Sequence, residues 1–322
     1  MLSDATGDGE PLVSIGVPTH DRAATLARAL DSALAQTHTE LEVVISDNAS
    51  LDGTEVLCRA AAARDPRVRY LRHEHDVGPT SNFNTLFAAC RGEYVMMLAD
   101  DDWLDPGYVS ACLAELRANP AMALVAGWTR YERDGAFVYD GTVHDHDQAD
   151  PADRVRAYLA TVEDNGVFYG LMPRAVLERV RPKANVLGND WLHVARVACQ
   201  GQIRTLPEVR IHRELGGTSA DVASILSAFG RSSWQARAPQ LVIASELLRD
   251  IAWRHPVYES LGHVRRLLLG LTGATLSIRW RDLAWHLLTP GVAALARRPR
   301  GRPVWALYER LTRALGAGRR PA

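Results

Sequence analysis

The sequence predicts an α/β fold built on a mostly parallel sheet, and three observations carry that prediction. Apolar runs of strand length alternate with segments of helical period through the first 120 residues. Each run ends in a polar loop. The run at 94–98, Tyr-Val-Met-Met-Leu, has no polar alternation, as expected of a strand covered on both faces. Strands joined through helices of this length pair in parallel with right-handed crossovers.

The first strand, Val13-Ser14-Ile15-Gly16-Val17, stops at Pro18, and Leu26, Ala29, Leu30, Ala33 and Leu34 then fall at helical spacing within residues 22–35. Residues 41–46 form a second strand. It ends in the polar turn Asp47-Asn48-Ala49-Ser50 with Asp52-Gly53, ahead of a helix over 54–63. A third strand covers 68–71, and His75-Asp76-Val77-Gly78-Pro79 turns the chain into a helix around 82–90. The fourth strand runs straight into Asp100-Asp101-Asp102-Trp103. Beyond it the pattern gives a helix over 107–118, strands at 121–128, 137–139 and 167–172, and a helix reaching Val180. Gly188-Asn189-Asp190 then precedes a helix over 191–199, with two short strands at 203–206 and 209–211. His144-Asp145-His146-Asp147 reads as a solvated loop rather than a metal site, because ligands need convergent geometry and not mere density.

In parallel topology the loops Thr19-His20-Asp21-Arg22, Asp47-Asn48, His73-Glu74-His75-Asp76 and Asp100-Asp101-Asp102 lie along one sheet edge, where ligands bind in α/β sheets. Three carboxylates there are hard oxygen ligands suited to Mg2+ or Mn2+, with substrate phosphates completing the shell. A solvated acidic turn, with Asp105 capping the helix after Pro106, is the plainer alternative. Convergence of four loops favours a site.

Composition bounds the function. At 322 residues and 47% hydrophobic the chain can bury a full core. Its four cysteines form no CxxC pair, and the acidic, Gly-rich residues 1–11 carry no apolar leader core and read as a disordered tail, so a reducing, cytoplasmic setting is expected. The net charge of −1 conceals an imbalance: residues 261–322 hold twelve arginines against Asp282 and Glu309, leaving the preceding body strongly acidic. That excludes a nucleic-acid-binding main body. The uncharged run 267–278 is shorter than the about 20 residues that span a bilayer. Arginines interleaved with Trp280, Trp285, Trp305 and Tyr308 fit either helices lying on an anionic membrane, at the inner face of the plasma membrane, or helices packed on the domain.

Taken together, Val13-Ser14-Ile15-Gly16-Val17-Pro18-Thr19 with Asp21-Arg22, Ser46-Asp47-Asn48-Ala49-Ser50 with Asp52-Gly53-Thr54, and Gly78 with Asn82 and Asn84 are one half of a pattern. Gly92-Glu93-Tyr94, Leu98-Ala99-Asp100-Asp101-Asp102, and Asn189-Asp190 heading a helix that ends in Gly201 before Leu206-Pro207-Glu208 are the other. In order and spacing they resemble the family 2 glycosyltransferases over residues 12–220. The resemblance implies a GT-A fold, Rossmann-like, with residues 221–322 as a helical, Arg-rich extension. It implies a nucleoside-diphosphate sugar donor, Asp47 on the base, and Pro18, Thr19, Asp21 and Arg22 lining the pocket, with Asn48, Asp52, Gly78, Asn82 and Asn84 in the same donor site. The aspartates resemble the family's DxD motif, although Ala99 stands where many members have the first Asp. On that likeness Asp101 faces the ribose and sugar, Asp102 holds Mg2+ or Mn2+, and Asp100 lies beside them. Asp190 takes the position of the catalytic base of an inverting transfer, with capping of the following helix as its structural alternative. His212 stands where members carry a His as a metal or phosphate contact, with Arg213 next to it.

The implied function is inverting sugar transfer in surface polysaccharide, glycoconjugate or natural-product biosynthesis, onto a sugar, lipid-linked or small-molecule acceptor. A sugar nucleotidyltransferase is the first rival; it needs a Gly-rich phosphate loop, and Pro18-Thr19-His20-Asp21-Arg22 has no glycine. A non-catalytic, membrane-associated assembly partner is the second, disfavoured by intact Asp47, Asp102 and Asp190.

Overall fold

A computed structural model describes residues 9–182, 185–216 and 239–278. The amino-terminal half is a run of strand–helix units: β1 (Val13–Thr19), α1 (Ala23–Leu34), β2 (Leu41–Asp47), α2 (Thr54–Arg64), β3 (Val68–Arg72), α3 (Pro79–Ala89) and β4 (Tyr94–Met97). β5 (Trp103–Leu104), α4 (Tyr108–Ala118), β6 (Met122–Arg133), β7 (Ala136–Asp140), β8 (Asp145–His146) and α5 (Pro151–Thr161) follow. The chain continues through β9 (Met172–Pro173), α6 (Arg174–Val180), α7 (Asn189–Gln200), β10 (Gln202–Glu214), α8 (Pro239–Arg249) and α9 (His263–Ser277).

Periodicity explains the first layer. α1 buries Leu26, Ala29, Leu30 and Ala33, the i, i+3, i+4, i+7 stripe, against Ile15, Val17 and Val43 of the sheet. Each fully buried leucine of this kind contributes about 1.5–3 kcal/mol. The sheet runs β3-β2-β1-β4-β9, parallel except for β9, so the ends of β1 to β4 share one edge as expected. A second sheet, β5-β10-β6-β7, pairs β10 with β6 in parallel, and reciprocal backbone bonds between Val125 and Leu171 (3.0 and 2.8 Å) join the two.

Three local expectations need correction. Residues 166–169 form a 3-10 turn, not a strand, and only Met172–Pro173 pair with β4. Val167 and Phe168 are apolar because they fill the core, and a short apolar run does not distinguish strand from helix. The two strands expected at 203–206 and 209–211 are one thirteen-residue strand whose register shifts between Leu206 and Arg210, where Pro207 offers no N–H to the ladder. His144 and His146 are not solvated. β8 pairs with β10, and both imidazoles are buried beside Tyr158, with His144 Nδ1 3.2 Å from His146 Nε2.

The carboxyl-terminal helices belong to the same core. Leu247, Ile251, Tyr258, Leu261 and Leu269 join Val155, Tyr158 and Leu192 in one apolar cluster. Buried Arg196 of α7 donates from Nε to Asp250 Oδ2 (2.9 Å) and from Nη2 to Oδ1 (2.5 Å), fastening α7 to the segment after α8. Gly270 and Gly273 let α9 approach Leu248 and Leu159, while Val264, Leu267, Leu268 and Leu271 face outward. No helix among the described residues is long and apolar enough to cross a membrane. The 220/221 boundary and the arginine-rich residues beyond 278 lie outside the described residues.

Candidate functional site

The loops after β1 and β2 are knitted together by their own polar groups. Asp21, at φ 52°, accepts from the Leu51 N–H on Oδ1 (2.6 Å), and its own N–H donates to Ser50 Oγ (2.9 Å). Asp52 accepts from the Thr54 N–H (2.8 Å) and from the Ala23 N–H (3.1 Å), so one carboxylate serves the amino ends of α2 and α1. The Thr54 side chain first, and then these backbone bonds, hold its pKa below the usual carboxylate value. The Arg22 N–H donates to Thr54 Oγ1 (3.1 Å), and Pro18 and Thr19 close β1 beside Ser46 and Asp47.

Asp47 is fully buried, and its carboxylate is occupied: Oδ1 accepts from the Ser50 N–H (2.8 Å) and Oδ2 from the Tyr70 hydroxyl (2.6 Å), with Arg72 Nε 3.5 Å away. Asn48 donates to Asp76 Oδ1 (2.5 Å) and accepts from the Val77 N–H (2.9 Å), tying the β2 loop to the β3 loop. Asn82 exchanges two bonds with Ser46, one with its hydroxyl (2.6 Å) and one with its carbonyl (2.9 Å), and is buried as a brace between α3 and β2. Asn84 is half-buried on α3. Gly78, at φ 79°, begins α3; with Asp76 to Ser81 and Asn185 it lines a polar cleft of about 310 Å3.

The three aspartates are in three different environments. Asp100 is half-buried, and its desolvation pushes its pKa up to about 6. The Asp101 side chain has no hydrogen-bond or ion-pair partner among the described residues, while its carbonyl accepts from Arg28 Nη2 (3.1 Å). Arg28 also stacks on Trp103, 3.6 Å from the ring centroid. Asp102 is 1% exposed and engaged on both oxygens: Oδ2 accepts from Arg213 Nε (2.9 Å) and Oδ1 from the Glu214 N–H (3.3 Å). Burial pushes the Asp102 pKa up, and Arg213 opposes the shift.

His212 is equally committed. Its ring stacks on Trp103, with Nδ1 2.8 Å from Glu132 Oε1 and Nε2 3.0 Å from Asp105 Oδ1. The pair expected to hold a metal, Asp102 and His212, therefore does not fit that role. Among the described residues no group of three His, Cys, Asp or Glu side chains is gathered for a metal. The carboxylate of the triplet that does fit, having no other partner, is Asp101, with Asp100 beside it; a divalent ion at a phosphate site needs one or two carboxylates and takes the rest of its shell from the substrate.

Gly188 is the amino cap of α7 at φ 75°, a conformation that favours glycine, and a Cβ there would meet Ile243 of α8 at 2.9 Å. The Asn189 side chain donates to Thr80 Oγ1 (3.3 Å), linking α7 to α3. Asp190 sits in the first helical turn and makes no cap bond, so it is not the structural cap of this helix. The phenol of Tyr169 is pushed up by burial, drawn down by Arg213, and pushed up again by Asp102, Asp101 and Asp190. Arg213 lies over that ring, its Cζ 4.7 Å from the centroid. Sequence reading missed Tyr169, which lay in a run read as strand, and Tyr70, whose hydroxyl holds Asp47. A polar-tipped aromatic inside an otherwise apolar run was the available signal.

A family model described as Glycosyl transferase family 2 matches residues 14–181, a little over half of the chain. Chondroitin synthase of Escherichia coli is 37% identical over 141 residues, 44% of this chain and 20% of that protein. A GalNAc(5)-diNAcBac-PP-undecaprenol beta-1,3-glucosyltransferase of Campylobacter jejuni is 28% identical over 188 residues, 57% of this chain and 60% of its own length. Among solved structures, TarS 1-349 of S. aureus superposes with a TM-score of 0.57 at 14% identity, over 94% of this chain and 80% of that one. The mannosyltransferase PcManGT of Pyrobaculum calidifontis, in complex with GDP-Man and Mn2+, superposes at 0.53 with 20% identity, over 96% of this chain and 87% of that one. These likenesses show a shared GT-A fold.

Proposed function

The chain belongs to glycosyl transferase family 2, and from that premise we propose that it moves a sugar from a nucleoside-diphosphate donor to an acceptor hydroxyl with inversion at the anomeric carbon. The observation that carries this reading is the acidic triplet that follows β4, with Asp102 fastened to Arg213 of β10 and Asp101 without a side-chain partner among the described residues. The braced loops of residues 18–22, 47–52 and 76–78 form the nucleoside side of the crevice, where Asp47 holds the Ser50 N–H and the Tyr70 hydroxyl in place. Asp190 then accepts the proton of the attacking hydroxyl while the acceptor oxygen bonds to the anomeric carbon. The bond from that carbon to the diphosphate oxygen breaks, and its electron pair leaves with the diphosphate. A single base and no carboxylate nucleophile give one displacement and hence inversion.

Asp101, with Asp100 beside it, is where Mg2+ or Mn2+ would be held. When bound, such an ion supplies Lewis-acid neutralisation of the departing diphosphate. The names of the relatives, polymerising synthases and a transferase acting on an undecaprenol-linked glycan, support a growing polysaccharide or lipid-linked glycan as acceptor. An acceptor of that kind accords with peripheral contact with an anionic membrane, to which the outward leucines of α9 and the arginines of residues 279–322 would contribute.

A thermal-shift panel of UDP, GDP, dTDP, CDP and ADP, each with and without Mn2+, tests the reading on wild type and Asp101→Asn. One nucleotide should raise Tm by a few degrees at about 100 times its dissociation constant, with the Mn2+-dependent part missing in the variant. If none of the five shifts the wild type, the non-catalytic assembly role becomes the better account.

A further inference from the structure

The guanidinium of Arg213 has two of its three nitrogens engaged and one left over. Nε donates to Asp102 and Nη1 donates to the Tyr131 hydroxyl (3.4 Å). Its Cζ lies 4.7 Å from the Tyr169 ring centroid and 5.6 Å from that of Tyr131, so the plane is held between two aromatic rings. No other partner of Arg213 exists among the described residues, and its side chain keeps 20% of its surface exposed. Nη2 is therefore a preset donor on a guanidinium that is held by the Asp102 carboxylate and by two aromatic rings.

Along a strand successive side chains point to opposite faces, so His212 and Arg213 of β10 cannot both look toward the triplet. The one that does is Arg213; His212 faces Trp103, Glu132 and Asp105. Building on the nucleotide-sugar reading above, we propose that Arg213 is a donor-binding residue that holds the diphosphate through Nη2, and that Asp102 is its positioning residue rather than a metal ligand. A guanidinium nitrogen is a strong donor to phosphate oxygens, and anchoring Nε on a carboxylate removes most of the side-chain freedom that binding would otherwise cost. Positive charge from the chain itself then faces the leaving group whether or not a divalent ion is bound.

The test is equilibrium binding by calorimetry in EDTA, comparing the nucleoside diphosphate that the wild type binds with its monophosphate and its nucleoside. Arg213→Gln should weaken the diphosphate about 10- to 100-fold, the range for a lost charge-assisted hydrogen bond, and leave the nucleoside unchanged. Arg213→Lys keeps a cation against Asp102 but loses the fork, and should show a smaller loss confined to the diphosphate. Should Arg213→Gln fail to fold, Arg213→Lys decides alone. Equal losses for diphosphate and nucleoside, or no loss in Arg213→Lys, would overturn the proposal by making Arg213 only the counter-ion of Asp102. Wild-type protein that binds none of the five diphosphates, with or without Mn2+, would instead remove the donor reading on which the proposal rests.

Discussion

The two sides of the crevice are built on opposite principles. On the β1–β2 side nearly every functional-looking polar group already has an internal partner: Asp47 with Ser50 and Tyr70, Asn48 with Asp76 and Val77, Asp52 with two helix ends, Asn82 with Ser46. On the β4–α7 side, the Asp101 side chain and Nη2 of Arg213 are left without partners among the described residues, and Asp190 makes no cap bond. A satisfied network supplies shape at no reorganisation cost, whereas unsatisfied charges supply reactivity and are stable only because the rest of the fold holds them. Substitutions on the first side should therefore act through folding and binding together, and those of Asp101 and Asp190 with little effect on stability.

The largest expected effect is on the reactive side. Asp190→Asn should lower kcat by about 10²- to 10⁴-fold, the contribution of a positioned general base, with Tm and donor affinity nearly unchanged. Normal turnover in that variant would remove Asp190 as the base. On the braced side, Asp47→Ala leaves the Tyr70 hydroxyl and the Ser50 N–H without their acceptor, and should cost about 1–3 kcal/mol of stability together with nucleotide affinity. A variant of unaltered Tm would break the contrast.

A pH experiment of similar size lies away from the crevice. Burial, with the like-charged neighbour His146, pulls His144 from 6.5 down to about 4. A base whose folded pKa is depressed stays neutral in the fold while the unfolded chain takes up a proton, so its stability contribution is complete above about pH 6.5 and lost as pH falls toward 4. A shift of this kind is worth on the order of 3 kcal/mol. Chemical unfolding of wild type and His144→Phe at pH 7 and pH 4.5 should show a steeper acid loss in the wild type. The smallest effect belongs to Asp52→Ala, which should cost about 1 kcal/mol for its caps and leave kcat within a few-fold, read by urea unfolding beside a steady-state assay.

The strand–helix alternation up to residue 120 was legible because its periods are local, and so was the convergence of four loops on one edge, which follows from parallel pairing. The roles within Asp100-Asp101-Asp102 were not. Three identical residues in a row differ only in what each one meets, and Asp102 meets Arg213, 111 positions away. His144 and His146 misled for the same reason: their polarity suggested solvent, and burial came from β8 pairing with a strand that begins at Gln202. Tyr169 was hidden because core filling and strand formation draw on the same residue types.

The interruption of β10 at residues 207–209 bears on how this site can change over evolutionary time. Its register against β6 is set once before the break and again after it. Between Leu206 and Arg210 the strand advances four residues while β6 advances one, so residues 207–209 are a three-residue surplus that a change of length can consume without moving the ladder beyond it. The pairing of Ile211 to Glu214 with Thr129 to Glu132 does not depend on that surplus, and a length change there would leave Arg213 on the face of Asp102.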